Sequence, residues 1–288
     1  MGTDLETRLT DKFVTVDGLR LRYVEEGKGP VVLLLHGASL GSSADVFLRN
    51  IGPLARTGFR VIAFDQPGFG LSEVPTNPTA AYRRDSIPKF LDAIGVKTAA
   101  LVGHSQAGNP AVQLALSSPE RYSHVIVLGT GTLLPPLDGQ DTKDGAAQQR
   151  LERRMATHEP TIEDTRKLLE ANLFHHDLIA PGELALRHAR SVGKNFEAFV
   201  MRNQAAEAAP PQAPEAPKTP LWQRLVDLKM PLLMIYGRED RSHAFERATL
   251  LKEKFPQLNL HIVSGCKHLV PWDAADEFQR RAVPFLRS

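Results

Sequence analysis

Residues 99–108 have the sequence Ala-Ala-Leu-Val-Gly-His-Ser-Gln-Ala-Gly. The apolar run 99–102 predicts a short buried strand, and a helix-compatible run begins at Ala107. Between them stands Gly103-X-Ser105-X-Ala107, a variant of the G-x-S-x-G pattern that exposes a serine at a sharp strand-to-helix turn. The stretch therefore predicts a strand–helix unit with Ser105 as a candidate nucleophile.

The small residues around Ser105 have a physical reason. The chain must turn sharply, and side chains larger than those of Gly103 and Ala107 would keep strand and helix apart. The helix N-terminus then lies beneath the serine, where the free N–H of Gln106 can stabilise an oxyanion. The alternative is a serine in an ordinary strand–helix loop, which does not explain the partner residues found further along the chain.

Similar apolar runs recur along the chain. They are short, bounded by Gly, Pro or Asn and often β-branched, as in strands buried on both faces of a parallel sheet. The runs are 31–35, 60–64, 125–128, 232–236 and 258–263, and helical stretches lie at 46–57, 80–94, 107–117, 244–255 and 274–286. Two more strands, 12–16 and 19–25, flank an Asp-Gly turn. The alternation predicts a doubly wound α/β fold with a mostly parallel sheet.

The alternation stops after Leu128 for longer than one crossover needs. Polar helix-forming stretches fill the gap, at 144–157, 161–173, 181–192 and 195–204. We interpret residues 131–220 as a helical cap inserted into a core that comprises 1–130 and 221–288. The last part of the insertion, 205–220, is rich in Ala and Pro and predicts an extended connection.

A serine hydroxyl is a weak nucleophile and needs an adjacent base. His268 is the best placed histidine, because it follows the last predicted strand and precedes the last helix. The acid that orients it should follow strand 232–236, where Asp240 is the first choice and Glu239 the local alternative. In this scheme His268 takes the proton of Ser105, and Asp240 fixes the imidazole tautomer.

A second donor to an oxyanion should come from the loop after strand 31–35. The sequence of this loop is His36-Gly37-Ala38-Ser39-Leu40-Gly41. The N–H of Ala38 is the first candidate, and that of Ser39 is the second. Either of them, together with the N–H of Gln106, would face one carbonyl oxygen.

The composition limits the possible classes of function. The formal charge is +2 with no basic run, so there is no footprint for nucleic acid or an anionic membrane. Cys266 is the single cysteine, which excludes an intrachain disulfide, and no cluster has metal-ligand spacing. The N-terminus lacks a signal-peptide pattern. We expect a soluble, cytoplasmic protein that needs no cofactor or metal and acts on a small molecule, with a homodimer as one option for its assembly.

Several motifs resemble the α/β-hydrolase superfamily and, within it, the meta-cleavage product hydrolases, which cleave carbon–carbon bonds in aromatic catabolism. The similar stretches are LHG at 35–37, RNIGPL at 49–54, FRVIAFDQPGFGLS at 59–72, YGREDR at 236–241 and DAADEF at 273–278. The resemblance implies the α/β-hydrolase fold, a Ser/His/Asp triad and no cofactor. It also implies a vinylogous 1,5-diketone substrate that bears a carboxylate.

The chain departs from that family next to the predicted catalytic residues. His104 precedes the nucleophile where the family usually has Asn, and Leu269 follows the base where an aromatic residue is usual. Val46 takes the position of a polar Asn in the helix after the first loop. In the family these positions help to hold the dienoate, so we expect all three residues to bind substrate. A cap arginine also helps there, and Arg187 is the nearest match, followed by Arg190.

Three functions remain compatible with the sequence. The first is hydrolysis of a carbon–carbon bond in a diketone-like ring-cleavage product. The second is a carboxylesterase or lactonase that uses the same triad. The third is a non-catalytic, ligand-binding member of the fold, against which the complete set of Ser105, Asp240 and His268 argues.

Overall fold

The computed structural model describes residues 9–137, 157–208 and 219–288. Its strands are β1 (Lys12–Val16), β2 (Leu19–Glu26), β3 (Val31–Leu35), β4 (Arg60–Phe64), β5 (Ala99–His104), β6 (Tyr122–Leu128), β7 (Leu232–Gly237) and β8 (Asn259–Val263). The described strands form one sheet in the order β1-β2-β4-β3-β5-β6-β7-β8. β2 is antiparallel to β1 and β4, and the other neighbouring pairs are parallel. The predicted α/β fold with a mostly parallel sheet is confirmed.

Helices cover both faces of this sheet. The described α-helices are α1 (Leu48–Ala55), α2 (Ala80–Ala93), α3 (Gly108–Ser117), α4 (Ile162–Asn172), α5 (Pro181–Ala189), α6 (Lys194–Ala208), α7 (Ala244–Lys254), α8 (Val270–Asp273) and α9 (Ala275–Leu286). Short 3-10 helices lie at Ala44–Phe47, Ser105–Ala107, Gly131–Leu133, His176–Leu178 and Leu221–Asp227. Within the described ranges, no helix has both the length and the apolar character needed to cross a bilayer.

Alternate side chains of the central strands form two separate cores. In β3, Leu33 and Leu35 point into one core, while Val32 and Leu34 point into the other. All of them are fully buried, which explains why the strand is an unbroken apolar run. Helices α2, α3 and α7 close the first core, and α1 and α9 close the second. The polar side chains that could take part in a reaction therefore lie in the loops at the carboxyl edge of the sheet.

Some element boundaries differ from the predicted ones because backbone geometry overrides the apolar pattern. β5 continues to His104, since its backbone stays paired with Leu128 of β6. The predicted helix 46–57 divides into a 3-10 turn followed by α1. The predicted helix 274–286 corresponds to α9, which begins one residue later, and Ala274, with φ −122°, separates it from the short helix α8 before it.

The chain leaves the sheet after β6 and returns to it at β7. Helices α4, α5 and α6 lie near the predicted stretches 161–173, 181–192 and 195–204. Of this insertion, we call residues 157–208 the cap. The predicted helix 144–157 lies outside the described residues except for its last position. The start of the predicted extended connection 205–220 is helical, because α6 continues to Ala208, and 209–218 lie outside the described residues.

A buried carboxylate fixes the loops at the carboxyl edge. Asp65 follows β4, and its Oδ1 and Oδ2 accept hydrogen bonds from the N–H groups of Ala44 and Leu71, each at 2.7 Å. Arg22 Nη1 lies 3.3 Å from the same carboxylate. Burial nevertheless raises the pKa of Asp65 to about 6. The loop after β4 is thus held against the 3-10 turn that begins at Ala44.

We expect Gly70→Ala to lower the free energy of unfolding by about 2–4 kcal/mol. Gly70 has φ +55°, and a Cβ there would lie 2.1 Å from Asp65 Oδ2, so alanine adds backbone strain and displaces the carboxylate. Gly193→Ala is the matched control, because Gly193 has φ +58° with open space around its Cβ position. Urea denaturation measures both variants, and equal losses would show that the Asp65 contacts contribute nothing.

Candidate active site

Ser105 occupies a tight turn between β5 and α3. Its φ of +55° lies in the left-handed region, which costs a non-glycine residue roughly 1–2 kcal/mol. Gly103 is required before it, because a Cβ there would lie 2.5 Å from the Ala107 carbonyl oxygen. From the loop after β6, the Thr130 hydroxyl donates to the Ser105 carbonyl at 2.6 Å. The turn therefore presents the Ser105 side chain at the carboxyl edge of the sheet.

The side chains of Ser105, His268 and Asp240 form a continuous chain of hydrogen bonds. The Ser105 hydroxyl donates to His268 Nε2 at 2.8 Å. His268 Nδ1–H donates to Asp240, at 3.0 Å from Oδ2 and 3.2 Å from Oδ1. These distances suit a nucleophile and its base. The arrangement can move the Ser105 proton to Nε2.

Asp240 is the acid in this chain of contacts, with a side chain that is only 4% exposed. Burial alone would raise its pKa, but the His268 ring and the Arg241 N–H, which donates to Oδ1 at 2.7 Å, hold the pKa of Asp240 below its ordinary value. The carboxylate is therefore ionised at neutral pH and favours the Nδ1–H tautomer of His268. The alternative acid, Glu239, instead accepts a hydrogen bond from the Cys266 N–H at 3.0 Å.

The predicted oxyanion donors lie on both sides of Ser105. Gln106 is the second residue of the 3-10 turn Ser105–Ala107 that leads into α3, where the first amides have no acceptor within the helix. Ala38 directly follows Gly37, which packs on the serine: a Cβ on Gly37 would lie 2.9 Å from Ser105 Cβ. Ser39 is further along the same loop and lines the adjacent cavity.

A cavity opens beside His268, between the sheet edge and the cap. Its lining residues are Gly37, Ser39, Ser42, Val46, His104, Leu168, Leu169, Asn172, Arg187, His268 and Leu269. Among them are Ser39, Val46, His104, Arg187 and Leu269, which the sequence had singled out. The structure thus brings residues from the first loop, the serine turn, the cap and the base loop around one space.

Helix α4 contributes lining residues that the sequence did not reveal, namely Leu168, Leu169 and Asn172. The amphipathic pattern of this helix indicates a buried face, but not what that face meets. The Asn172 side-chain oxygen accepts a hydrogen bond from Arg241 at 2.5 Å. The sequence offered one signal for Asn172, an asparagine at the end of an amphipathic helix. That signal does not indicate that the residue lines this cavity, which follows only from the fold.

His104 is buried beside the base, and the centroids of its ring and the His268 ring are 5.3 Å apart. Its Nε2–H donates to the His268 carbonyl at 2.9 Å, so its Nδ1 is left as an acceptor. Burial, together with the neighbouring His268 ring, lowers the pKa of His104 to about 3, and the ring is neutral at neutral pH. Among the described residues, Nδ1 of His104 has no hydrogen-bond partner.

The two cap arginines have different surroundings. Arg187 lines the cavity, and its Nη2 donates to the Leu40 carbonyl at 3.0 Å. Arg190 lines a neighbouring cavity instead, and its Nε donates to Asp45 Oδ2 at 2.9 Å. Burial works to raise the pKa of Asp45, but Arg22, at 2.7 Å, and Arg190 hold it low. The charge of Arg190 is neutralised between core and cap, which does not support the substrate-binding role expected of it.

A family profile described as the alpha/beta hydrolase fold matches residues 30–275. The 2-hydroxy-6-oxononadienedioate/2-hydroxy-6-oxononatrienedioate hydrolase of Burkholderia vietnamiensis is 32% identical over 96% of both chains. The 2-hydroxy-6-oxo-6-phenylhexa-2,4-dienoate hydrolase of Burkholderia cepacia is 31% identical over 99% of both chains.

Solved structures give a similar result. A meta-cleavage product hydrolase from Pseudomonas fluorescens superposes with a TM-score of 0.76 at 25% identity, covering 97% of this chain and 98% of the other. An N-acyl homoserine lactone degrading enzyme superposes with a TM-score of 0.68 at 27% identity, covering 95% of this chain and 100% of the other.

Proposed function

The chain belongs to the α/β-hydrolase family and groups with the meta-cleavage product hydrolases. We propose that it hydrolyses a carbon–carbon bond of a 2-hydroxy-6-oxo-dienoate. The observation that carries the proposal is the hydrogen-bonded chain Ser105–His268–Asp240 beside a cavity that also holds Arg187. A nucleophile, a base and a cation around one small space suit a ketone that bears a carboxylate.

The first half of the reaction uses the serine as nucleophile. Ser105 Oγ adds to the 6-oxo carbon while His268 Nε2 takes its proton. The Asp240 carboxylate stabilises the imidazolium that forms. The N–H groups of Ala38 and Gln106 bind the oxyanion of the tetrahedral adduct.

The second half breaks the carbon–carbon bond and releases the enzyme. This step requires that the 2-hydroxy-dienoate ketonises before Ser105 adds, its hydroxyl proton passing to C5, so that C2 carries an oxo group and C5 is saturated. As the adduct collapses, the electron pair of the C5–C6 bond then delocalises through the C3=C4 double bond on to the 2-oxo oxygen, which takes up the proton held by His268. Water then loses a proton to His268 and adds to the acyl group on Ser105, and as the acyl–Oγ bond breaks His268 returns the proton to Ser105. The products are a hydroxydienoate and a carboxylic acid, and each turnover consumes one water molecule.

Substrate recognition is assigned to three features of the cavity. Arg187 supplies a cation for the substrate carboxylate. His104, as a neutral acceptor, suits a hydroxyl donor such as that of the enol. Val46 and Leu269 provide apolar surface where the resembling family has polar or aromatic side chains.

A second candidate function is hydrolysis of an ester or lactone. The apolar side chains of Val46 and Leu269 favour it, because they leave fewer polar groups to hold a dienoate. The similarity to a lactone-degrading enzyme also agrees with it. The same nucleophile, base and oxyanion donors would serve both reactions.

We expect Arg187→Gln to lower kcat/KM for a dienoate by about 10–100-fold, mostly through KM, because a charge-assisted hydrogen bond to the carboxylate is lost. A neutral chromogenic ester should lose less than about twofold, since it offers no carboxylate. Stopped-flow absorbance follows the fading of the dienoate colour, and release of p-nitrophenol follows the ester.

Arg187→Lys serves as the charge-retaining control and should recover part of the dienoate activity. Equal losses on both substrates would make Arg187 a structural residue. Ester turnover by the unmodified enzyme without any loss of dienoate colour would select the second candidate function.

A further inference from the structure

The end of α4 and the residues after it lie across the loops that carry the acid and the base. The Asn172 carbonyl accepts a hydrogen bond from the Leu269 N–H, directly after the base, at 3.0 Å. The Asn172 side chain also accepts one from Arg241, directly after the acid, at 2.5 Å. One cap residue is therefore bonded to both loops of the candidate triad.

Asp273 joins the next cap residues to the base loop. Its Oδ1 and Oδ2 lie 3.1 and 2.9 Å from the Phe174 N–H, and Oδ1 also accepts from the His175 N–H at 3.0 Å. On the other side, Oδ2 accepts from the Lys267 N–H at 2.9 Å. Lys267 immediately precedes His268, so a single carboxylate holds the cap and the base loop together.

These bonds are costly to lose. Hydrogen bonds to an ionised carboxylate are stronger than neutral ones, and each unpaired backbone donor carries a desolvation penalty. The donors are backbone N–H groups, so substitution of Phe174, His175 or Lys267 leaves them in place. Asp273 is the acceptor that all of them share.

We propose that Asp273 is a positioning residue that keeps His268 in line with Ser105 and couples this alignment to the seating of the cap. It acts through the Lys267 backbone on one side and through the cap on the other. The 2.8 Å contact between His268 Nε2 and Ser105 Oγ depends on the placement of the base loop. The proposal rests on the proposed function, since it assigns His268 as the base.

Asp273→Asn tests this role, because asparagine has nearly the same shape as aspartate. Its side-chain NH2 group, however, would face the backbone N–H donors from which Asp273 accepts hydrogen bonds. We expect kcat for the dienoate to fall about 10²-fold, the scale of a misplaced catalytic group, with a smaller change in KM. The rate at which a small phosphonate labels Ser105 should fall by a similar factor, because labelling needs the base but little of the cavity. Asp273→Glu, which keeps the carboxylate, should recover most of the rate.

Asp276→Asn is the control, since it removes an exposed carboxylate from the first turn of α9. A lower melting temperature for Asp273→Asn with unchanged kcat and labelling rate per folded molecule would reduce Asp273 to a structural role and overturn the proposal. A rise in KM alone would also overturn it.

Where Asp273→Asn does not fold, Arg241→Gln gives a second test, because it weakens the contact with the Asn172 side chain at a partly exposed position, together with the charge that helps to hold the pKa of Asp240 low. We expect this variant to lower kcat by about tenfold, which is the effect of losing one hydrogen bond to a charged group. An unchanged kcat would contradict the proposed coupling between the cap and the alignment of His268. Failure of the proposed function is distinct, because then the unmodified protein itself would neither turn over the dienoate nor be labelled at Ser105.

Discussion

Replacing Ser105 with alanine is expected to lower kcat by about 10⁶-fold while the protein stays folded. Alanine keeps the Cβ, so the backbone at φ +55° is as strained as before, and only the hydroxyl that faces His268 is lost. No covalent intermediate can then form, and the remaining rate comes from the oxyanion donors and substrate binding. Dienoate turnover under single-turnover conditions measures the loss.

Ser117→Ala is the matched control, because Ser117 is an exposed residue at the end of α3. It should retain the full rate. Circular dichroism and thermal melting establish that Ser105→Ala is folded. Retention of more than about one per cent of kcat in a folded Ser105→Ala protein would assign the nucleophile elsewhere, because loss of a nucleophile costs far more.

Asp240→Asn should lower kcat by about 10⁴-fold, as the equivalent change does in serine proteases. The amide presents a donor to His268 Nδ1, which lies 3.0 Å from Oδ2 in the unmodified protein. The imidazole then adopts the opposite tautomer, so Nε2 carries a proton and cannot accept the one on Ser105. Because the side chain is nearly isosteric, substrate binding should change little, and kcat should carry the loss.

Glu239→Gln is the internal comparison, because Glu239 is the neighbouring carboxylate and bonds the Cys266 N–H instead of the base. One weakened hydrogen bond predicts a loss of less than about tenfold. Both variants are compared by kcat and by the rate of Ser105 labelling. A reversed order, with Glu239→Gln the more damaged, would move the acid to Glu239.

The fold was accessible from the sequence where burial alone determines the pattern. β3 and β4 match their predicted ranges, because strands covered on both faces are apolar, apart from Arg60 at the start of β4, and Gly or Pro stands within two residues before each strand. The hydrogen-bond chain of Ser105, Asp240 and His268 joins residues whose order along the chain had selected them. In a parallel sheet, the loops at the carboxyl ends of neighbouring strands meet, so strand order carries spatial information.

Pairings between distant segments could not be predicted in this way. Arg190 fitted a substrate-binding role by position, but it is paired with Asp45, which also binds Arg22. No local pattern indicates which of several arginines meets a carboxylate far away in the chain. The same holds for Asp273, which follows the base in the sequence and becomes informative only through its contacts with the cap and the base loop.

The left-handed backbone at Ser105 also limits how this enzyme could evolve. A β-branched side chain is a severe outlier at φ +55°, and Gly37 packs against the Cβ of the serine. Threonine is therefore a poor replacement, although it carries the same hydroxyl group. Cysteine and aspartate have an unbranched Cβ and add no such conflict. New reactions in this scaffold are thus most accessible through nucleophiles of that shape.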